Sequence, residues 1–153
     1  TCVAREPALL ASAAVPPVLT PHPGEMARLL GSDAAAVQAD RIGVARRFAA
    51  AHRCVLLLKG PRTIVAAPDG RAWINPTGNP GMASGGMGDV LAGMIGALLA
   101  QGLEPVAAAT LGAYLHGDAA DRVARRRGMI GLVASDVIEE LPPTLAVLGG
   151  AEL

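Results

Sequence analysis

The chain has 153 residues, 52% of them hydrophobic and 2% aromatic, with 13 basic and 13 acidic side chains that leave no net formal charge. That length fits one domain or a large piece of one, and its core must be built from Ala, Val, Leu and Ile. Neutral charge and scarce aromatics argue against nucleic acid, which calls for a basic patch with stacking rings, and the longest apolar stretch, Val90 to Ala100, is too short to span a bilayer.

Residues 1–17 have no clear period and carry Pro7, Pro16 and Pro17, so they read as irregular, with a short helix near Ala8 to Ala13. Val18-Leu19 reads as a short strand. His22-Pro23-Gly24-Glu25 then opens a helix, with proline at its first position, an acid in its first turn and Gly31 as its stop. A second helix is expected from Ala34 or Asp40 to His52, with Ile42, Ala45, Phe48 and Ala49 on its apolar side. Cys54 to Leu58 is a continuous apolar run, as in a strand buried on both faces. Ile64-Val65-Ala66 and Ala72-Trp73-Ile74 flank Pro68-Asp69-Gly70-Arg71 and read as a hairpin turned by Asp-Gly.

Residues 75–88 form a loop rich in Gly, Pro and Asn. A helix is expected from Asp89, with Leu91, Met94, Ile95, Leu98 and Leu99 as its apolar stripe. Ala92, Gly93, Gly96 and Ala97 leave its other side thin enough to approach a sheet. Pro105 starts a helix reaching about Arg126, whose basic run Arg125-Arg126-Arg127 reads as a solvated helix end. Ser135 caps a last short helix that ends before Pro142-Pro143. Helix followed by buried strand makes α/β the class. No repeat or domain boundary is visible. Cys2 and Cys54 have neither a disulfide framework nor a metal-ligand spacing, and no signal peptide is visible, which fits a cytoplasmic protein. The chain begins at Thr1 without methionine, so an upstream segment is expected.

Ser84-Gly85-Gly86-Met87-Gly88-Asp89 carries the strongest chemical signal. Glycines let backbone N–H groups approach an anion, and a helix start adds about half a positive charge. Gly86, Met87 and Gly88 are therefore candidates for an anion hole. Asp89 is either a helix cap or a base for a hydroxyl attacking the bound phosphate. Lys59-Gly60-Pro61-Arg62-Thr63 follows the buried strand, where ligands gather in open parallel sheets; an ordinary connection is the competing reading. Lys59 is the single lysine beside twelve arginines. His22 either donates to a polar substrate group or belongs to the helix cap, and Glu25 reads as a helix-start acid. No histidine pair has metal-ligand spacing. The pattern is neither a P-loop nor a dinucleotide fingerprint.

Together these segments resemble a known family. Leu19 to Glu25 (LTPHPGE), Leu58 to Thr63 (LKGPRT), Asn75 to Gly93 (NPTGNPGMASGGMGDVLAG), Leu115-His116-Gly117 and Ala134-Ser135-Asp136 are similar to the signatures of the ADP/ATP-dependent NAD(P)H-hydrate dehydratases. The resemblance runs from about Val18 to Pro142. It implies a ribokinase-like three-layer α/β sandwich, of which residues 1–153 are the C-terminal portion of a single domain without its N-terminal strands. It also implies an enzyme that dehydrates hydrated NADH or NADPH at the expense of ADP or ATP, with Mg²⁺. Lys59, Gly60, Pro61, Arg62, Thr63 and Gly88 would contact the nucleotide. His22 and Asp89 would contact the hydrated dinucleotide, with Asp89 as the catalytic base. The complete protein is expected to be a homo-oligomer, and this chain alone to be inactive. A small-molecule kinase of the same fold and a non-catalytic nucleotide-binding module remain as alternatives.

Overall fold

The computed structural model describes residues 5–148, so Cys2 lies outside the described residues. The chain divides into two compact units: Thr1–Asn75 with Glu104–Thr110, and Pro76–Leu103 with Leu111–Leu153.

In the first unit a 3-10 turn at Pro7–Ser12 precedes β1 (Val18–Leu19), α1 (Pro23–Leu30), α2 (Ala34–Ala39), α3 (Arg41–His52), β2 (Val55–Leu58), β3 (Ile64–Ala66) and β4 (Ala72–Ile74). The sheet order is β1-β2-β3-β4. β1 runs parallel to β2, with Val18 opposite Val55, and the expected β3–β4 hairpin pairs antiparallel, as does β3 with β2. Every residue of β2 is fully buried. Leu56, Leu58, Ile64 and Ala66 pack with Val44, Ala45, Phe48 and Ala49 of α3, while Val55, Leu57 and Val65 are buried on the opposite face. The strand buried on both faces is thus present, but Ile42 lies outside the apolar side of α3 and is 44% exposed.

Both candidate starts of the second helix are used, because each has its own cap. Asp33 accepts from the Ala36 N–H and starts α2; Asp40 accepts from the Gly43 N–H and starts α3. The hairpin turn is closed by Gly70 at φ +88°, a conformation that favours glycine.

The second unit contains a 3-10 turn at Pro80–Met82, α4 (Met87–Ala100), α5 (Pro105–Arg127, from Leu111 onward) and α6 (Ala134–Leu148). Its core joins Met87, Ala119, Ala120, Val123, Leu132 and Val137. Leu91 and Ile95 are buried as the stripe on α4 requires. The thin side is not used as expected: Ala92, Gly93, Gly96 and Ala97 are exposed, and a Cβ on Gly93 or Gly96 would meet nothing within 4 Å. Close approach occurs at Gly112 instead, where a Cβ would lie 2.7 Å from Ile95 Cγ1.

The last helix also departs from expectation. It does not stop before Pro142-Pro143 but runs through them to Leu148. Two prolines remove two backbone donors, yet Leu141 packs on the core and Thr144 is fully buried, so burial on both sides of the pair holds the helical course. Asp136, rather than Ser135, closes the first turn by accepting from the Val133 N–H. The basic run of α5 is more than a solvated end, because Arg126 pairs with Glu140 and Arg127 with Asp136. No helix among the described residues is long and apolar enough to cross a membrane.

Candidate functional site

In the first unit, β1 and β2 end side by side, and the parallel ladder continues past them: the Lys59 N–H donates to Pro21 O at 2.9 Å. The TPHPGE and LKGPRT segments therefore emerge together at the carboxyl ends of adjacent strands. His22 is the N-cap of α1. Its Nδ1 accepts from the N–H groups of Gly24 and Glu25 at 3.0 and 3.2 Å, and Glu25 Oε2 accepts from the His22 N–H at 2.6 Å, a complete capping box. With Nδ1 used as an acceptor, Nε2 is the ring nitrogen left to donate, and it lies 3.5 Å from Glu25 Oε1. Capping uses Nδ1, and a substrate contact through Nε2 would share that nitrogen with Glu25 Oε1.

Glu25 also reaches Lys59, with Oε2 3.6 Å from Nζ. Burial raises the Glu25 carboxyl, but the His22 N–H and the Lys59 ammonium outweigh it and hold it below its ordinary value. Beyond Lys59 the loop bends through Gly60 at φ +138° and Arg62 at φ +52°. Thr63 closes the bend, its Oγ1 donating to Gly60 O at 3.2 Å. Arg41, at the start of α3, turns inward under this loop and donates to its carbonyls.

In the second unit, the Asn-Pro-Thr-Gly-Asn loop is fastened to α5. Asp121 accepts from the Gly78 N–H at 2.9 Å and from Asn79 Nδ2 at 2.8 Å, and Thr77 Oγ1 donates to Tyr114 O at 2.9 Å. The loop lies so close to the helix that a Cβ on Gly117 would fall 2.3 Å from Thr77 Oγ1 and 2.8 Å from Gly78 N. Asp121 and the reason for Gly117 were hidden in the sequence, although the His-Gly pair marked the spot.

α4 begins at Met87, two residues before the expected start, and its N-cap is Gly86 at φ +83°. Asp89 is therefore in the first turn and is not the cap. Its N–H and that of Val90 both donate to Gly86 O at 3.0 Å, so the Asp89 amide is spent. The N–H groups of Met87 and Gly88 have no acceptor among the described residues, and the exposed Asp89 carboxylate has no partner there either. Met87 buries its side chain at 5% exposure while its amide stays open. Open amides at a helix start beside an unpaired carboxylate can hold an anion and take a proton. No group of three or more His, Cys, Asp or Glu among the described residues could hold a metal ion.

A strand pair running parallel, its helices packed against it, and a glycine-rich helix start in the second unit define an α/β protein. The profile of the NAD(P)H-hydrate dehydratase family matches residues 2–143, and the chain belongs to that family. It is 58% identical over 130 residues to the bifunctional NAD(P)H-hydrate repair enzyme of Moorella thermoacetica, covering 85% of this chain and 24% of that protein. Among solved structures it is similar to the ADP/ATP-dependent NAD(P)H-hydrate dehydratase from Bacillus subtilis, co-crystallised with ATP/Mg²⁺ and soaked with CoA. That likeness has TM-score 0.83 and 39% identity over 86% of this chain and 49% of the other. A ribokinase-like superfamily protein from Enterococcus faecalis aligns at TM-score 0.68 and 32% identity, over 84% of this chain and 43% of its own. The expected α/β, ribokinase-like class is thereby established. The chain spans about a quarter of the Moorella relative and half of the Bacillus one.

Proposed function

We propose that this chain carries the nucleotide-binding and catalytic portion of an ADP- or ATP-dependent NAD(P)H-hydrate dehydratase. The observation that carries the reading is Asp89, an unpaired carboxylate in the first turn of α4, beside open amides at Met87 and Gly88. The names of the related proteins support the substrate and the nucleotide.

Hydroxide is a poor leaving group, so the hydroxyl on the hydrated nicotinamide ring is first phosphorylated. Asp89 takes the hydroxyl proton as the oxygen attacks the terminal phosphoryl group of the nucleotide, releasing AMP from ADP or ADP from ATP. The amides of Gly86, Met87 and Gly88 receive the charge on the transferring group. The ring nitrogen's lone pair then expels phosphate, and loss of a ring proton restores the reduced nicotinamide. His22 donates from Nε2 to the dinucleotide. Lys59, Gly60, Pro61, Arg62, Thr63 and Gly88 hold the nucleotide. Mg²⁺ would be held chiefly by nucleotide phosphates, whose charge it neutralises.

The test is to supply the full-length protein with hydrated NADH and ADP or ATP. Recovery of NADH with one free phosphate per turnover is expected. A stable phosphorylated product would mark a kinase and overturn the dehydratase reading.

A further inference from the structure

We infer that Arg41 is the positioning residue of the Lys59–Thr63 loop, turning the Gly60 and Arg62 N–H groups outward as donors for a phosphate-bearing ligand. The inference rests on reading that loop as the nucleotide loop. Arg41 Nη1 donates to Pro61 O at 2.6 Å, and Nη2 lies 3.3 Å from Leu58 O and 3.4 Å from Lys59 O. One guanidinium, from the first turn of α3, therefore gathers carbonyls from successive parts of the bend. The described peptide bonds are all trans, and a trans peptide points its C=O and N–H in opposite directions. Fixing the Lys59 and Pro61 carbonyls on Arg41 thus directs the next two amides, Gly60 and Arg62, to the other side. Neither donates to an acceptor among the described residues.

The loop backbone is shaped to this arrangement. Gly60 sits at φ +138°, and a Cβ there would lie 2.9 Å from Arg41 Nη2, so glycine is needed both for the turn and for the guanidinium. Arg41 Nε is buried without a partner, while both terminal nitrogens are committed to the loop carbonyls. The guanidinium also sets a fixed positive charge behind the outward amides, favouring an anion in front of them.

α3 supplies a matched control. Arg46 Nε donates to Gly70 O at 2.6 Å, an arginine-to-carbonyl bond from the same helix to the hairpin turn. The experiment compares Arg41→Met, Arg41→Lys and Arg46→Met in the full-length protein. Readouts are ADP affinity by calorimetry, the backbone order of residues 59–63 by NMR relaxation without ligand, and thermal melting. Losing charged donors to the loop should weaken ADP about 10- to 100-fold in Arg41→Met and lower the order of the Gly60 and Arg62 amides. Arg41→Lys, folded but lacking the planar fork, should recover only part of the affinity. Arg46→Met should melt earlier yet bind ADP as the parent does. Unchanged ADP affinity in a folded Arg41 variant, or an equal loss in Arg46→Met, overturns the inference. If the parent binds no adenine nucleotide, the nucleotide reading of the loop fails separately. Amide order then decides for Arg41: unchanged order at Gly60 and Arg62 overturns its positioning role, and lowered order upholds it.

Discussion

Glu25 and Lys59 meet across the ends of two neighbouring strands, with the carboxylate oxygen that takes the His22 N–H lying 3.6 Å from the lysine ammonium. The single lysine of the chain is thereby held by the cap of α1. Glu25→Gln keeps an oxygen for the capping box and removes the charge. A half-exposed pair is worth under about 1 kcal/mol, so melting should move by only a few degrees. The nucleotide KM should rise a few-fold as Lys59 loses its anchor. A large drop in melting temperature with an unchanged KM would make the pair structural only.

Asp89→Asn preserves shape and removes the base. Dehydration should fall by about 10²- to 10⁴-fold, with nucleotide affinity within a few-fold of the parent by calorimetry. Turnover close to the parent's would remove Asp89 from proton transfer.

Gly117→Ala forces a methyl against the backbone of Thr77 and Gly78. Overpacking of this kind costs about 1–3 kcal/mol, so the melting temperature should fall. An alanine variant that melts with the parent would show that the Thr77–Gly78 loop stands off α5 in solution.

His116 is 5% exposed and its Nε2 has no partner, and burial pushes its pKa from 6.5 down to about 4. The unfolded chain therefore binds the proton that the folded chain refuses. Stability should be full above about pH 6.5 and fall as pH drops toward 4, by an amount on the order of 1–3 kcal/mol. Asp136 and Glu140, held below their ordinary values chiefly by Arg127 and Arg126, add a further loss at still lower pH, as they take up protons. Melting curves from pH 7 to 4 should show the first loss in the parent and not in His116→Met. A parallel loss in both would assign it elsewhere.

Local chemistry made much of this chain legible. The β2 run, the Asp-Gly turn, Pro23 after His22 and the apolar stripe of α4 each carry their conformation in adjacent residues, and each appears where expected. The errors come from partners distant in sequence. Nothing beside Arg41 in the sequence marks its role, because the carbonyls it meets, those of Leu58, Lys59 and Pro61, lie 17 to 20 residues further on. Arg126 looks solvated until Glu140 comes round on α6. Pro142-Pro143 stops a helix in isolation, but Thr144 is buried and the helix continues. At the candidate site, glycine and aspartate near a helix start fit a cap as well as an anion site, so the sequence left both readings open. The start itself was misplaced by two residues, because Gly86 caps α4 without any side chain to announce it.

The open amides of Met87 and Gly88 are main-chain groups, and main-chain groups neither titrate nor oxidise. An anion received there meets a host whose charge pattern is constant across the physiological range. Any acidity dependence in its capture belongs to the ionisation of the anion or of side chains outside the cradle. At Met87, whose side chain is buried, the donors do not depend on the side chain's chemistry: exchanging it for a hydroxyl-bearing residue would alter what is packed beneath the helix and add no main-chain donor.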